Sequence, residues 1–233
     1  HESFFIEEIK KVNLFIIGLG NVGKAFLEQA SNQQAYLLDK LNMNLVIIGA
    51  ANSKTMIFDE QGLGPTTFME ELPKSEVFNQ VYLREQMRTL NLRNSIFIDI
   101  TASATVAEIY EEVLKESISV VTPNKIAATR EYKHYSLLKS LSKKYKSQFL
   151  FETNVGAGLP VLSTLSDLVK SGDQIIKIEA VLSGTLNFIF NNYDGNRPFV
   201  EVVKLAKKEG YTEPDPRLDL SGEDVMRKIL ILA

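Results

Sequence analysis

The chain has 233 residues, 45% apolar and 24% charged, with 29 acids against 26 bases. This is the balance of a globular protein of one or two domains. It excludes disorder, collagen-like repeats and the basic surface that nucleic acid recognition needs. Cysteine is absent and histidine is confined to His1 and His134. Disulfides, thiolate-zinc sites, cysteine nucleophiles and multi-histidine metal centres are therefore excluded.

In chain order, the first two-thirds alternate short apolar runs with longer amphipathic stretches. The predicted strands cover 12–17 (VNLFII), 45–50, 96–100 (IFIDI), 118–122 and 149–152. Helices are expected over 22–33, 75–90, 104–116 and 125–145. Strands apolar on both faces, with connections long enough for crossover helices, indicate an α/β fold with a parallel sheet covered on both sides. The character changes near residue 153. A glycine-rich turn, NVGAGLP (154–160), ends at Pro160, which is expected to open a helix at its first position. A long strand over 175–183, helices over 185–192 and 198–209, a polar turn EPDPRLD (213–219) and a last helix from about Gly222 follow. This divides the chain into domains 1–150 and 151–233. No apolar run approaches the ~20 residues of a membrane span, and no signal peptide opens the chain. No membrane partner and a cytoplasmic location are expected. The start at His1 and the apolar, uncapped end at Ala233 lead to the expectation of a piece of a longer polypeptide, with the second domain incomplete.

Gly18-Leu19-Gly20-Asn21-Val22-Gly23 is G-x-G-x-x-G, directly after a strand and directly before a helix. In this pattern the first glycine makes the tight turn, the second admits a pyrophosphate and the third lets helix pack on strand. The helix N-terminus offers free N–H groups to the phosphates. The alternative is a packing turn that binds nothing. NAD-specific sites usually place an acid at the end of the second strand. Here that strand runs into Ala51-Asn52-Ser53-Lys54, so Ser53 and Lys54 are expected to accept a 2′-phosphate. NADP is thus preferred, with NAD as the alternative cofactor. On the other view Lys54 is a solvated loop lysine.

Two further stretches fall at the carboxyl ends of strands, where open α/β sheets bind ligands. In DITAS (99–103), Thr101 faces a cofactor or, with Ser103, caps the next helix. In TPNK (122–125), Lys125 points into the cleft or is an exposed first-turn lysine. Tyr211, Glu213, Asp215, Asp219, Asp224 and Lys228 form the densest polar group in the chain. Asp224 and Lys228, four apart, share a helix face. A lysine beside a carboxylate can shuttle a proton to a substrate oxygen. The plainer reading is a surface ion pair, with Ser221 and Asp224 as a capping box. Tyr135 and Lys139 form Y-x-x-x-K, a rival proton-transfer pair, but they lie in a lysine-rich amphipathic helix. A non-catalytic NADP-sensing module is the alternative from a different functional class.

The stretch AKKEGYTEPDPRLDLSGEDVMRK (206–228) resembles the diagnostic segment of homoserine dehydrogenases at Ala206, Gly210, Tyr211, Thr212, Asp215, Pro216, Asp219, Leu220, Gly222, Asp224 and Lys228. GLGNVG, DITAS, TPNK, ETNVGAGLP and SGTLNFIF are similar to the family in the right order, so the resemblance covers 12–233. It is especially similar to the dehydrogenase half of bifunctional aspartokinase/homoserine dehydrogenases. The resemblance implies a Rossmann-type doubly wound sheet followed by an incomplete α+β substrate and dimerisation domain. It implies reversible NADP-linked oxidation of L-homoserine to L-aspartate 4-semialdehyde, in the biosynthesis of threonine, methionine and isoleucine. By the same resemblance, Lys228 is the proton donor and acceptor, supported by Asp224. Glu213, Asp219, Tyr211, Thr185 and Gly184 belong to the substrate region. Thr101 and Lys125 contact the cofactor, and Lys125 also joins the proton relay. A structural sodium ion would take Glu152 and the carbonyls of Val155, Ala157 and Leu159, oxygen donors suited to a hard cation. A homodimer or homotetramer and an aspartokinase fused upstream are implied as well. One departure stands out: the family's DxTSS is DITAS here, so Ala102 loses a serine contact.

Overall fold

A computed structural model describes residues 9–64, 67–212 and 215–233. The chain divides between Phe151 and Glu152 into two compact units.

The first unit is built on β1 (Lys10–Ile17), α1 (Asn21–Leu41), β2 (Met43–Ala51), β3 (Thr55–Leu63), α2 (Phe68–Glu71), β4 (Glu76–Val77), α3 (Gln80–Leu90), β5 (Ser95–Asp99), α4 (Ala104–Ala107), α5 (Tyr110–Lys115), β6 (Ser119–Val121), α6 (Tyr132–Tyr145) and β7 (Phe149–Leu150). The strands form one sheet in the order β4-β3-β2-β1-β5-β6-β7. β2, β1, β5, β6 and β7 run parallel, while β3 and β4 add an antiparallel edge. β1 lies centrally, with β2 on one side and β5 on the other, so the chain reverses its winding direction there. Such a switch point leaves a crevice at the carboxyl ends of the strands.

The centre of the sheet is apolar on both faces because helices cover both. Val12, Leu14 and Ile16 pack with Leu27 of α1, Ile47 and Ala50 of β2, and Phe68 and Leu72. On the opposite face, Phe97 and Phe149 meet the ring of Tyr110 from α5 at 6.2 and 5.9 Å. Burying each large apolar side chain contributes about 1.5–3 kcal/mol. The helix expected over 104–116 breaks into α4 and α5 around Glu108 and Ile109. That expected over 125–145 is a 3₁₀ turn at Ala127–Thr129 followed by α6. The helix expected from residue 75 begins at Gln80, where Asn79 accepts hydrogen bonds from the N–H groups of Val81 and Tyr82.

The second unit contains α7 (Val161–Lys170), α8 (Gly184–Asn192), α9 (Phe199–Lys208), α10 (Pro216–Leu220) and α11 (Glu223–Leu232). Its buried core is small: Ile189, Val202 and Ala206, flanked by Phe188, Phe199 and Val203. The strand expected over 175–183 is not formed. A strand exists only as a rung of a ladder, and among the described residues none pairs with this segment. Ile176 is 97% exposed. Lys177 and Glu179, two apart, form an ion pair at 2.7 Å. Pro160 is the N-cap of α7 rather than its first helical residue. Gly222, at φ 73°, is the N-cap of α11 in place of the expected Ser221–Asp224 capping box. Ser221 instead accepts a hydrogen bond from Glu223 N–H through Oγ at 3.2 Å. Among the described residues no helix is long and apolar enough to cross a membrane.

Candidate functional site

The glycine turn sits at the switch point between β1 and α1. Gly18 adopts φ +97°, a conformation that L side chains rarely take, and its N–H donates to the Ala51 carbonyl at 3.0 Å. A Cβ placed on Gly18 would come within 2.4 Å of the Ile100 carbonyl oxygen, so the turn presses on the backbone that leaves β5. A Cβ on Gly23 would come within 2.2 Å of the Gly18 carbonyl oxygen, which closes helix onto strand. A Cβ on Gly20 would meet nothing within 4 Å. The space beside Gly20 is open, at a helix whose first turn carries no acid. Leu19 is buried and anchors the turn, while Gly20, Asn21 and Val22 are exposed at the mouth. This is the cradle a pyrophosphate requires, with free N–H groups around an open volume.

Beside it, β2 ends at Ala51, opposite Ile17 of β1. Asn52 then makes a side-chain turn, its Oδ1 accepting from the N–H groups of Lys54 at 2.7 Å and Thr55 at 2.8 Å. Ser53 and Lys54 are thereby exposed at the tip of the β2–β3 hairpin, on the edge of the glycine turn. No acid stands at the end of β2. Lys125, half-buried, follows β6, and its carbonyl accepts from Thr129 Oγ1 at 2.9 Å. Ser103 caps α4 by accepting from Val106 N–H at 3.4 Å, and Thr101 Oγ1 accepts from Ser103 N–H at 3.1 Å. Ser103 alone is therefore the helix cap; Thr101 makes a side-chain turn just ahead of it and stays on the same edge.

Beneath this edge lies a buried group whose role the sequence reading missed. Asp99, Tyr110, Thr122 and Asn124 are each at most 3% exposed. The Tyr110 hydroxyl donates to Asp99 Oδ2, and Asn124 Nδ2 donates to the same oxygen at 3.1 Å. Burial first, and then the Asp99 charge and hydrogen bond, hold the Tyr110 phenol far above its ordinary pKa, so it remains a proton donor. The sequence signal was slight: polar residues at the ends of apolar strands.

In the second unit, Lys228 lies on α11 with its side chain 21% exposed. Its ammonium donates to Asp224 Oδ2 at 2.6 Å and to the Leu182 carbonyl at 2.8 Å. Asp224 and Lys228 are thus paired as their spacing predicts, and the Leu182 contact takes the lysine off the free surface. Nearby, Thr185 Oγ1 donates to the Tyr211 carbonyl and lies 3.0 Å from Asp219 Oδ1. These contacts tie Gly184 and Thr185, at the start of α8, to α10. The Tyr211 ring stacks on Phe188 at 4.3 Å. Asp215 caps α10 and chelates Arg217, whose hydrogen bonds hold its carboxyl down at about 2. Glu213 lies outside the described residues. The rival pair is elsewhere: on α6, Tyr135 packs edge-on against Phe151, and burial raises its pKa. A tyrosine acting as base needs the opposite shift.

Glu152 has a role that the sequence did not suggest. Its two carboxylate oxygens accept from the N–H groups of Leu162 at 2.9 Å and Ser163 at 2.8 Å. Pro160, the N-cap, provides no side-chain bond, so Glu152 caps α7 from upstream with a favourable charge–dipole interaction. Replacing Glu152 with Ala is expected to lower stability by about 1 kcal/mol, and Glu152→Gln, with one acceptor left, by less. Thermal unfolding of the two variants checks the order. Val155 is buried, whereas Ala157, at φ 51°, and Leu159 are exposed on the same turn.

The first unit, with its open cradle at the switch point, defines a dinucleotide-binding domain of the Rossmann type. The family described as "Homoserine dehydrogenase, NAD binding domain" matches residues 18–152, and that described as "Homoserine dehydrogenase" matches 160–233. The chain belongs to the homoserine dehydrogenase family. It is 41% identical over its whole length to a bifunctional aspartokinase/homoserine dehydrogenase of Zea mays, covering 25% of that protein. It is likewise 41% identical to one of Haemophilus influenzae, covering 28%. The chain thus spans about a quarter of the length of these curated relatives. Among solved structures, a hyperthermophilic archaeal homoserine dehydrogenase in complex with NADPH is similar, with TM-score 0.76 and 27% identity over 95% of this chain and 68% of that one. A Candida auris protein of unknown function gives TM-score 0.82 at 32% identity, covering 96% and 63%.

Proposed function

We propose that the chain carries the cofactor domain and part of the substrate domain of an NADP-preferring homoserine dehydrogenase, interconverting L-homoserine and L-aspartate 4-semialdehyde. The observation that carries this reading is Lys228, an ammonium held between Asp224 and the Leu182 carbonyl in a chain whose other unit offers an open dinucleotide cradle. The residues present fit the cofactor: Gly20 leaves room for the diphosphate, and the N-terminus of α1 supplies N–H donors. When bound, the nicotinamide supplies or takes up the hydride. Lys228 donates a proton to the aldehyde oxygen in reduction and takes the hydroxyl proton in oxidation. Asp224 keeps it in place. Thr185, Gly184, Tyr211, Asp219 and Glu213 form the amino acid pocket. Thr101 and Lys125 line the cofactor edge. This chemistry belongs to the biosynthesis of threonine, methionine and isoleucine. NADP-linked oxidation of L-homoserine tests it, with NADPH fluorescence reporting binding separately.

The preference for NADP rests on Ser53 and Lys54 at the hairpin tip and on the missing acid. Lys54→Ala is expected to raise the Michaelis constant for NADP about tenfold, the loss of one charge-assisted hydrogen bond. That for NAD should stay unchanged. Equal constants for both cofactors in the parent protein would refute the assignment.

The family's sodium site falls on Glu152, Val155, Ala157 and Leu159. Each Glu152 oxygen accepts one N–H, and the Leu159 carbonyl accepts one from Val161. Each keeps a lone pair, so the donor set suits a hard monovalent cation with a structural role. A fused aspartokinase, a homodimeric or homotetrameric assembly and a cytoplasmic location complete the reading. The kinase is supported by the composite names of the relatives.

A further inference from the structure

The loops after β1, β5 and β6 meet over one set of buried polar side chains. Asp99 is the last residue of β5 and is fully buried. Its Oδ1 accepts from Thr101 N–H at 2.8 Å, and its Oδ2 accepts from the Tyr110 hydroxyl and from Asn124 Nδ2. The Asn124 amide also donates to the Ser103 carbonyl at 3.0 Å, and its Oδ1 accepts from Ile126 N–H at 3.0 Å. Thr122 Oγ1 donates to the Asp99 carbonyl at 2.7 Å and accepts from Asn124 N–H at 2.9 Å. The Tyr110 hydroxyl also lies 3.0 Å from that oxygen. Ile100, between Asp99 and Thr101, donates to the Ile17 carbonyl at 2.7 Å, and its own carbonyl is what excludes a Cβ from Gly18.

Packing alone does not call for this arrangement. Four apolar side chains would fill the space without the desolvation of a carboxylate, which is strongly unfavourable unless every donor and acceptor is matched. Here they are matched, and the bonds terminate on the backbone of the segments that carry Thr101, Ser103 and Lys125. We propose that Asp99, Tyr110, Thr122 and Asn124 are positioning residues. They form a buried lock that holds the loops after β5 and β6 in register with the glycine turn, and so set the affinity of this edge for its dinucleotide. The proposal rests on the reading of this edge as the cofactor site.

Tyr110→Phe keeps the ring and removes the oxygen that joins Asp99 to Thr122. Phe97→Leu is the control. It loosens the core against the same Tyr110 ring and removes no hydrogen bond of the lock. At a temperature where both variants are folded, the NADPH dissociation constant is expected to rise about tenfold in Tyr110→Phe and less than twofold in Phe97→Leu. Without cofactor, amide hydrogen exchange at Thr101 and Asn124 is expected to quicken about tenfold together in Tyr110→Phe and to stay unchanged in Phe97→Leu. Either readout unchanged in Tyr110→Phe, or equal changes in the two variants, overturns the proposal. If the parent protein does not bind NADPH, the cofactor reading fails on its own, and exchange alone judges the lock. If Tyr110→Phe does not fold, Asn124→Ala, which cuts the bridge from Asp99 to Ser103, is read in the same way.

Discussion

Lys228→Ala is expected to reduce homoserine turnover by about 10²–10⁴-fold, the range for a positioned general acid–base group, while NADPH affinity stays within twofold. An ammonium has three donors. Asp224 and the Leu182 carbonyl take two of them, at 2.6 and 2.8 Å, and the third is assigned to the substrate oxygen. The loss corresponds to about 3–5 kcal/mol of transition-state stabilisation. Stability should barely change, because Asp224 is 55% exposed and such pairs contribute at most about 1 kcal/mol. Lys228→Arg is a sharper test. Arginine keeps the charge and cannot give up its proton, so it should still pair with Asp224 and still fail in oxidation. Near-normal turnover in either variant would remove Lys228 from the reaction. Loss of NADPH binding in parallel would assign it a structural role instead.

What could be read from the sequence followed from periodicity and from fixed spacing. The apolar runs of β1, β2 and β5 are buried on both faces, and that signal is strong. The glycine spacing is tied to backbone geometry, so the sequence alone gives Gly18, Gly20 and Gly23 separate tasks. The spacing of Asp224 and Lys228 implied one helix face, and the two are paired. By contrast, β3 carries Asp59, Glu60 and Gln61 on an edge hairpin whose exposed half lacks an apolar pattern. Its pairing with β2 depends on the Asn52 turn. The segment 175–183 has the composition of a strand, but a ladder needs a neighbour, and composition does not supply one. The remaining surprises are long-range bonds. Glu152 reaches amides ten and eleven positions on, and Asn124 reaches back twenty-five to Asp99. No local pattern encodes contacts of that kind, because they depend on how strands are ordered in space.

Gly20→Ala and Gly23→Ala should separate binding from folding at the same turn. Gly20 has φ −76° and ψ −157°, which any residue adopts, and open space where a Cβ would go. The variant should unfold within about 0.5 kcal/mol of the parent, as do surface substitutions that disturb nothing. If that space holds the diphosphate, the methyl group must push it away from the N–H donors of α1, and NADPH affinity should fall by about 10²-fold or more. Gly23 is the reverse case. Its Cβ would sit 2.2 Å from the backbone oxygen of Gly18, and no rotamer change relieves a clash with the main chain. Either α1 moves off the sheet or the turn opens. Overpacking of this kind costs about 1–3 kcal/mol and sometimes more. Gly23→Ala should therefore lose stability and cofactor together, whereas Gly20→Ala loses cofactor alone. Denaturant unfolding and NADPH fluorescence on the same samples distinguish the two. If Gly20→Ala binds NADPH as the parent protein does, the diphosphate does not lie beside Gly20, and the turn is a packing device.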